Sequence, residues 1–299
     1  METIGLDFGS CNLKTNTGVI IPTKITKGEN LFNNGFLLEF KNEVYTIGEG
    51  EYDTTLDKTK KEYFLPCLCL GLALSTEENF VRTVVGLPLN QYKSNKEELL
   101  NIIENNKILE FKLNGEDRTI YITEVEVFPE GIATYYSLNI EKRNRLKEKD
   151  IIILDIGGRT TDIALLKSGV KRSIIKSVSL ECGMINVYHD IISNINSKYT
   201  LGLEIEDAEK IIKNGLEIDG EKQDLTFVKQ IIKNNIDKVF KELNINYPTR
   251  TSPILVTGGG GEAFFKSIKK RFPTAELVEN NILSNALGYK KVGQKLWKD

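Results

Sequence analysis

A short strand that ends in Asp, an apolar residue and Gly occurs twice in this sequence, half a chain apart. Residues 5–13 read Gly-Leu-Asp-Phe-Gly-Ser-Cys-Asn-Leu, and residues 153–163 read Ile-Leu-Asp-Ile-Gly-Gly-Arg-Thr-Thr-Asp-Ile. One such hairpin alone is also compatible with an ordinary glycine turn after a strand. Two copies at this distance in 299 residues indicate a duplicated domain, with one glycine hairpin in each copy.

The remaining pattern mixes strands with helices at the spacing typical of α/β layers. It predicts one strand over 13–21, a helix from Asn95 and a separate strand over 124–128. The charged run 141–150 is interpreted as a solvated surface turn. The unbroken apolar run that begins at Ile151 is typical of a central strand, so the second half is predicted to start there.

Composition narrows the classes of function. The formal net charge is -2 with a pI near 5.8, and this balance does not favour direct binding of nucleic acid. No apolar run reaches the ~20 residues that a membrane-spanning helix needs, and no signal peptide is recognisable, so a cytoplasmic protein is expected. Cys67 and Cys69 lie in an apolar segment and are interpreted as packing thiols, while His189 is the single histidine.

The two hairpins carry the groups that a nucleoside triphosphate requires. The backbone of Gly9-Ser10 and of Gly157-Gly158 can donate to phosphates, because glycine lets the chain approach a ligand closely. Lys14 and Thr160 follow these turns and can also reach phosphate. Two interpretations of Arg159 stay open: its side chain contacts a phosphate, or it faces solvent.

Asp7 and Asp155 each end an apolar strand, so both are predicted to project into one cleft. Two carboxylates there suit Mg²⁺, which keeps most of its water ligands and takes one or two carboxylates. They are therefore the candidate metal residues, acting through water, and are counted among the catalytic residues.

Glu130 stands where a predicted strand ends and a helix begins, in Phe128-Pro129-Glu130-Gly131. An acid at a helix start also complements the helix dipole, which is a common structural role. Its place just before the second hairpin favours a catalytic interpretation, in which Glu130 orients the attacking water or accepts its proton.

Four glycines, Gly258, Gly259, Gly260 and Gly261, follow an apolar strand and precede a helix predicted from Glu262. Such a run indicates backbone packed against a ligand, with a helix N-terminus near phosphate or the nucleoside. The spacing also fits a dinucleotide-binding fingerprint, but too few residues follow to complete that fold. The P-loop sequence is absent, which excludes an ordinary P-loop NTPase.

In this order, the motifs resemble those of the actin, heat-shock-70 and sugar-kinase superfamily. Within it the chain looks most like the bacterial actin-like ATPases of the ParM (StbA) type, which segregate plasmids. The matching segments are 6–14 and 154–162 for the phosphates, 129–133 and 285–288 for the connecting helices, 256–261 for the adenosine, and 86–92 and 206–210 for flanking elements. Arg159 departs from the pattern, since that loop often carries a small residue.

The resemblance implies an α/β fold of duplicated actin-like (ribonuclease H-like) domains with a central nucleotide cleft. Domain I would comprise 1–153 plus 283–299, with a small subdomain near 30–65, and domain II would comprise 154–282. It also implies that Asn12 holds phosphate and that Glu209 and Lys213 border the nucleoside.

The implied activity is hydrolysis of ATP or GTP with Mg²⁺, coupled to head-to-tail self-assembly into filaments. DNA would be reached through a DNA-binding adaptor protein, with no direct contact to nucleic acid or membrane. Two alternatives stay open: a sugar or carboxylate kinase on the same fold, and a membrane-associated cytoskeletal scaffold that uses the tail 290–299.

Overall fold

The structure of the chain is a computed structural model that describes residues 1–28, 35–53, 55, 57–169 and 171–298. Within these residues two large β-sheets are present, each built by one half of the chain. The predicted small subdomain near 30–65 lies partly outside the described residues, at 30–34, 54 and 56. No helix among the described residues is long and apolar enough to cross a bilayer.

The first sheet has a parallel core extended by antiparallel hairpins. Its strands in the described residues are β1 (Glu2–Phe8), β2 (Asn12–Thr15), β3 (Ile20–Pro22), β4 (Lys24–Lys27), β5 (Phe36–Phe40), β6 (Glu43–Ile47), β7 (Glu51–Tyr52), β8 (Phe80–Leu87), β9 (Ile108–Leu113) and β10 (Glu116–Pro129). The spatial order is β3-β2-β1-β8-β10-β9-β5-β6-β4-β7. Because β1, β8 and β10 are parallel, their carboxyl ends meet at one edge of the sheet.

The second sheet repeats this arrangement on a smaller scale. Its strands are β11 (Ile151–Ile156), β12 (Thr161–Leu166), β13 (Ile174–Leu180), β16 (Ile254–Thr257) and β17 (Ala275–Leu277), with a separate hairpin of β14 (Glu217–Ile218) and β15 (Glu221–Lys222). The order is β13-β12-β11-β16-β17. In both sheets the first strand pairs antiparallel with the next strand and parallel with the strand on its other side.

Helices cover both sheets. They are α1 (Phe64–Ala73), α2 (Leu89–Glu104), α3 (Ile132–Ser137), α4 (Ile140–Leu146), α5 (Met184–Tyr199), α6 (Asp207–Asn214), α7 (Thr226–Asn246), α8 (Gly259–Arg271) and α9 (Ser284–Trp297), with 3-10 turns at Lys58–Lys60 and Asn281–Leu283. The last helix, α9, returns to the first sheet and packs on β1 and β8. It crosses α3 so closely that a Cβ atom on Gly288 would overlap the carbonyl oxygen of Ala133. The domain bounds themselves stay a prediction.

Several predicted elements differ from the structure. The predicted strand 13–21 is two strands, because residues 16–19 form a turn in which Gly18 adopts φ +100°. The predicted separate strand 124–128 is the end of the long β10, whose register shifts between Ile122 and Glu124. The helix predicted from Asn95 begins six residues earlier, directly after Pro88.

The charged run 141–150 was expected to be a surface turn, and this prediction is wrong over most of its length. Residues Ile140–Leu146 form the helix α4. The side chain of Asn139 caps it by accepting from the backbone N–H of Lys142 over 2.8 Å, and Leu146 is buried at the other end. A capped start and one apolar anchor therefore turn a charged surface segment into a short helix.

The glycine run also differs from its prediction, because α8 begins at Gly259 rather than at Glu262. Three of the four glycines thus form the first helical turn, and Gly258 alone remains outside it. The N–H of Gly261 already donates to the carbonyl oxygen of Gly258 over 3.0 Å, so the donors left for an anion at this helix start are the N–H groups of Gly259 and Gly260.

Candidate nucleotide site

A cavity of about 1000 Å³ lies between the two halves of the chain. It is lined by both glycine hairpins, by Glu130 and by the start of α8. The carboxyl ends of β1, β10, β11 and β16 all open onto it, which is the usual position of a ligand in α/β sheets.

The two hairpins have the same backbone geometry. The N–H of Gly9 donates to the carbonyl oxygen of Asn12 over 3.0 Å, and the N–H of Gly157 donates to that of Thr160 over 2.9 Å. The sequence repeat is therefore also a repeat of turn structure. The two turns face one cavity from opposite sheets.

In the first hairpin, Asp7 is paired with a cation. Lys14 lies directly opposite Asp7 across the strand pair, and its Nζ donates to Oδ2 of Asp7 over 3.1 Å. Burial lowers the pKa of Lys14, but the charges of Asp7 and Asp155 outweigh this effect and hold it above its ordinary value. Lys14 therefore stays charged beneath the cavity.

In the second hairpin, Asp155 lies opposite another acid, Asp162. Oδ2 of Asp155 accepts from Nδ2 of Asn285 over 3.1 Å, and Oδ2 of Asp162 accepts from Oγ1 of Thr160 over 3.1 Å. Burial is the main cause that raises the pKa of each carboxyl to about 6. Oδ1 of Asp162 is buried and has no hydrogen-bond partner in the described part of the chain.

Glu130 projects from the end of β10 and pairs with the ammonium of Lys58. Its backbone N–H donates to the carbonyl oxygen of Leu87 over 2.8 Å, which fixes the turn at the sheet edge. The next residue, Gly131, adopts φ +73° and donates its N–H to Oδ1 of Asn285 over 3.0 Å. Asn285 thus connects Asp155 to the turn that carries Glu130.

Gly258 must be glycine for two reasons. It adopts φ +83°, which side-chain-bearing residues rarely do, and a Cβ atom there would overlap Oδ1 of Asp155 and the carbonyl oxygen of Ile156. The start of α8 can therefore lie directly against the second hairpin, with its N–H groups at the cavity.

Most of the predicted site residues line this cavity. They are Asp7, Gly9, Ser10, Asn12, Lys14, Glu130, Asp155, Gly157, Gly158, Arg159, Thr160, Glu209, Gly258, Gly259 and Gly260. Gly261 is buried in α8, and Lys213 is exposed one turn beyond Glu209 on α6. Neither Gly261 nor Lys213 lines the cavity, and their predicted contact with nucleotide is not supported by this arrangement.

Lys58 and Asp162 also line the cavity and were not among the candidates. Asp162 could have been found, because it occupies the position in the second repeat that Lys14 occupies in the first. Lys58 gives no such signal, since it lies in a polar segment without a motif.

The residues present fit a magnesium ion that is held through water. Asp7, Asp155 and Asp162 are hard oxygen donors, and the unpartnered Oδ1 of Asp162 can accept from a water of the ion's shell. No three His, Cys, Asp or Glu side chains among the described residues lie close enough to hold an ion directly.

Two family models match the chain in succession. The one described as the N-terminal domain of actin-like proteins matches residues 5–132, and the one described as the C-terminal domain of the archaeal MreB-like actin homologue matches residues 153–270. No curated protein is significantly similar in sequence.

Solved structures of actin homologues have the same fold. A 15-stranded ParM filament from Clostridium botulinum has a TM-score of 0.81 and 21% identity, over 99% of this chain and 100% of that chain. The archaeal actin homolog Ta0583 in complex with ADP has a TM-score of 0.82 and 18% identity, over 99% of this chain and 100% of that chain. The predicted α/β fold of duplicated actin-like domains is thus confirmed, and each half of the chain matches a family of actin homologues.

Proposed function

We propose that this protein is an actin-like ATPase or GTPase that binds its nucleotide with Mg²⁺ in the central cavity and assembles head to tail into filaments. The observation that carries the proposal is the pair of matched glycine hairpins that face one cavity, with carboxylates behind both and a glycine-rich helix start beside them. Phosphoryl transfer needs this combination of backbone donors, a cation site and a positioned water.

Each part of the cavity has a role in this proposal. The N–H groups and hydroxyls of the two turns bind the phosphates, and Lys14 adds a fixed positive charge beneath them. Asp7 and Asp155 hold Mg²⁺ through water, and the ion neutralises charge on the phosphates. The start of α8 and Glu209 border the nucleoside.

Glu130 orients the attacking water and accepts its proton. Its side chain is 16% exposed, so it reaches the cavity while most of it is shielded from bulk solvent. Asn285 and the turn at Gly131 fix its backbone, which limits the positions that the carboxylate can take. A group fixed in this way lowers the barrier through orientation and proton transfer together.

Assembly follows from a head-to-tail contact between unlike surfaces of successive subunits. Such a contact generates an open filament when the rotation from one subunit to the next does not close a ring. The ParM structure from Clostridium botulinum, a filament, supports this part of the proposal. A separate adaptor would connect the filament to plasmid DNA, since the chain is slightly acidic and tight DNA binding needs several uncompensated cations.

Sedimentation tests the proposal. The purified protein is pelleted with ATP, GTP, a slowly hydrolysed analogue or no nucleotide, each with and without Mg²⁺. We expect pelleting above a threshold concentration with nucleotide and Mg²⁺ only. A monomer under every condition would overturn the filament proposal and favour the small-molecule kinase, to be assayed with sugars and carboxylates.

Two further assays test the proposed partners. A DNA mobility shift at physiological salt should show no complex without an adaptor, and a clear shift would overturn the adaptor proposal. Pelleting with liposomes should leave the protein in the supernatant, whereas co-pelleting would favour the membrane-associated scaffold.

A further inference from the structure

Lys58 is a buried lysine that belongs to none of the sequence motifs. It is the first residue of the 3-10 turn Lys58–Lys60, and its side chain is 5% exposed. A lysine is almost never buried so completely unless its ammonium is paired. The partners of that ammonium therefore indicate what the residue does.

The ammonium of Lys58 joins the ends of two neighbouring parallel strands. Its Nζ donates to Oε1 of Glu130 and, over 3.1 Å, to the carbonyl oxygen of Gly86. Gly86 lies near the end of β8, and Glu130 directly follows β10. Lys58 therefore fixes the carboxylate relative to the sheet edge from which it projects.

Helix α2 holds the 3-10 turn that carries Lys58. The backbone N–H of Lys58 donates to Oε1 of Gln91 over 3.1 Å, and Oδ1 of Asp57 accepts from Nδ2 of Asn95 over 2.8 Å. Asp57 also accepts from the N–H of Thr59 over 3.0 Å. The ammonium thus reaches Glu130 from a braced backbone.

Glu130 needs such a partner, because it shares the cavity with Asp7 and Asp155. Burial raises the pKa of Glu130, Lys58 opposes this effect, and the two aspartates add to it. Lys58 engages Oε1 of Glu130, and Glu130 lines the cavity, so Oε2 is the oxygen left for a water there. A protonated Glu130 could not accept a proton from water.

We propose that Lys58 is a positioning residue, which keeps the Glu130 carboxylate ionised and holds it by Oε1 so that Oε2 receives the attacking water. This inference rests on the proposed function, since it takes the role of Glu130 from there. It adds a second residue to the hydrolytic step, from a segment that no motif marks.

Kinetics separate positioning from binding. Lys58→Met keeps the apolar stem and removes the charge, and it should lower single-turnover hydrolysis about 100-fold, within the range of general-base catalysis, while nucleotide affinity stays within about twofold. The acidic limb of the pH–rate profile of Lys58→Met should lie at higher pH than that of the wild type. Lys58→Arg should recover part of the rate, and Lys60→Met, on the exposed side of the same turn, should match the wild type.

A loss of nucleotide affinity as large as the loss of rate would overturn the proposal, because Lys58 would then be a phosphate-binding residue. An unchanged pH–rate profile in a folded Lys58→Met would overturn it as well. Thermal melting of each variant, beside the double variant Lys58→Met/Glu130→Gln, identifies a loss that comes from unfolding. The double variant leaves no unpaired carboxylate and should melt above Lys58→Met.

Titration of Glu130 tests the pair without any hydrolysis. Carboxyl carbons of glutamate are labelled with ¹³C, and the Glu130 signal is assigned from its absence in Glu130→Gln. In the nucleotide-free protein, Glu130 should become protonated at higher pH in Lys58→Met than in the wild type. Equal titration would overturn the role of Lys58, whereas a wild type without NTPase activity would overturn the proposed function even if the titration shifts.

Discussion

The two glycine hairpins have one backbone and two different charge arrangements. In the first, Asp7 faces Lys14 across the strand pair, whereas in the second, Asp155 faces Asp162. The first hairpin is thus neutralised within itself, and the second accumulates negative charge that burial and the neighbouring acids oppose. The two hairpins thus share the backbone of the turn and differ in charge: the first carries its own cation, Lys14, and the second places two acids opposite each other.

The largest expected effect concerns Glu130, which belongs to neither hairpin. Glu130→Ala should lower the hydrolysis rate by about 10²- to 10⁴-fold, because it removes the proposed general base, while nucleotide affinity stays nearly unchanged. Single-turnover hydrolysis and equilibrium binding measure the two quantities. If affinity fell in parallel with the rate, Glu130 would belong with the binding hairpins, and the division of roles would be wrong.

The second effect compares Asp155 with Asp7. Asp155→Asn should weaken Mg²⁺-dependent nucleotide binding about 10- to 100-fold, the usual cost of losing a residue that orients the shell of a metal. Asp7→Asn should weaken Mg²⁺-dependent nucleotide binding less, because Asp7 is already paired with Lys14. Titrations with Mg²⁺ and with a chelator test this. When a chelator removes Mg²⁺, Asp155→Asn should bind nucleotide at least as well as the wild type. An equal Mg²⁺ dependence of nucleotide binding in Asp155→Asn and Asp7→Asn would contradict the comparison of the two hairpins.

The smallest effect is on stability. Asp155 and Asp162 have pKa values of about 6 against an ordinary 3.8, so the folded protein binds more protons than the unfolded chain between these values. Its stability without nucleotide should therefore fall as pH rises from about 4 to about 6.

Asp162→Asn should reduce that slope and add about 1 kcal/mol at pH 7.5. The limit is about 3 kcal/mol, since the shift is about two pKa units at about 1.4 kcal/mol each, but a neutral amide accepts the hydrogen bond of Thr160 less strongly than a carboxylate. Urea unfolding at several pH values measures both quantities. Glu148→Gln, at an exposed acid, is the matched control and should change neither. If the stability of Asp162→Asn fell with pH as steeply as that of the wild type, the acid pair would not be the cause of this pH dependence.

The parts of the site that were predictable from sequence are those encoded locally. The hairpins, Glu130 and the glycine run each combine a strand end with a turn, and the order of the segments follows from the chain itself. Lys58 could not be predicted, because its contact with Glu130 joins residues 72 positions apart and depends on how a polar segment folds over α2. The helix within 141–150 is hard to predict for a related reason: it depends on the cap at Asn139 and on the burial of Leu146.

In the proposed function, nucleotide bound in the cavity controls assembly and Glu130 limits the lifetime of the polymer. Light scattering after addition of a fixed amount of ATP or GTP with Mg²⁺ tests it most directly, with wild type and Glu130→Ala side by side. The wild-type signal should rise and then decay as nucleotide is consumed, while the signal of the variant should rise and persist. Identical decay of both signals, or a rise that needs no nucleotide, would contradict the account.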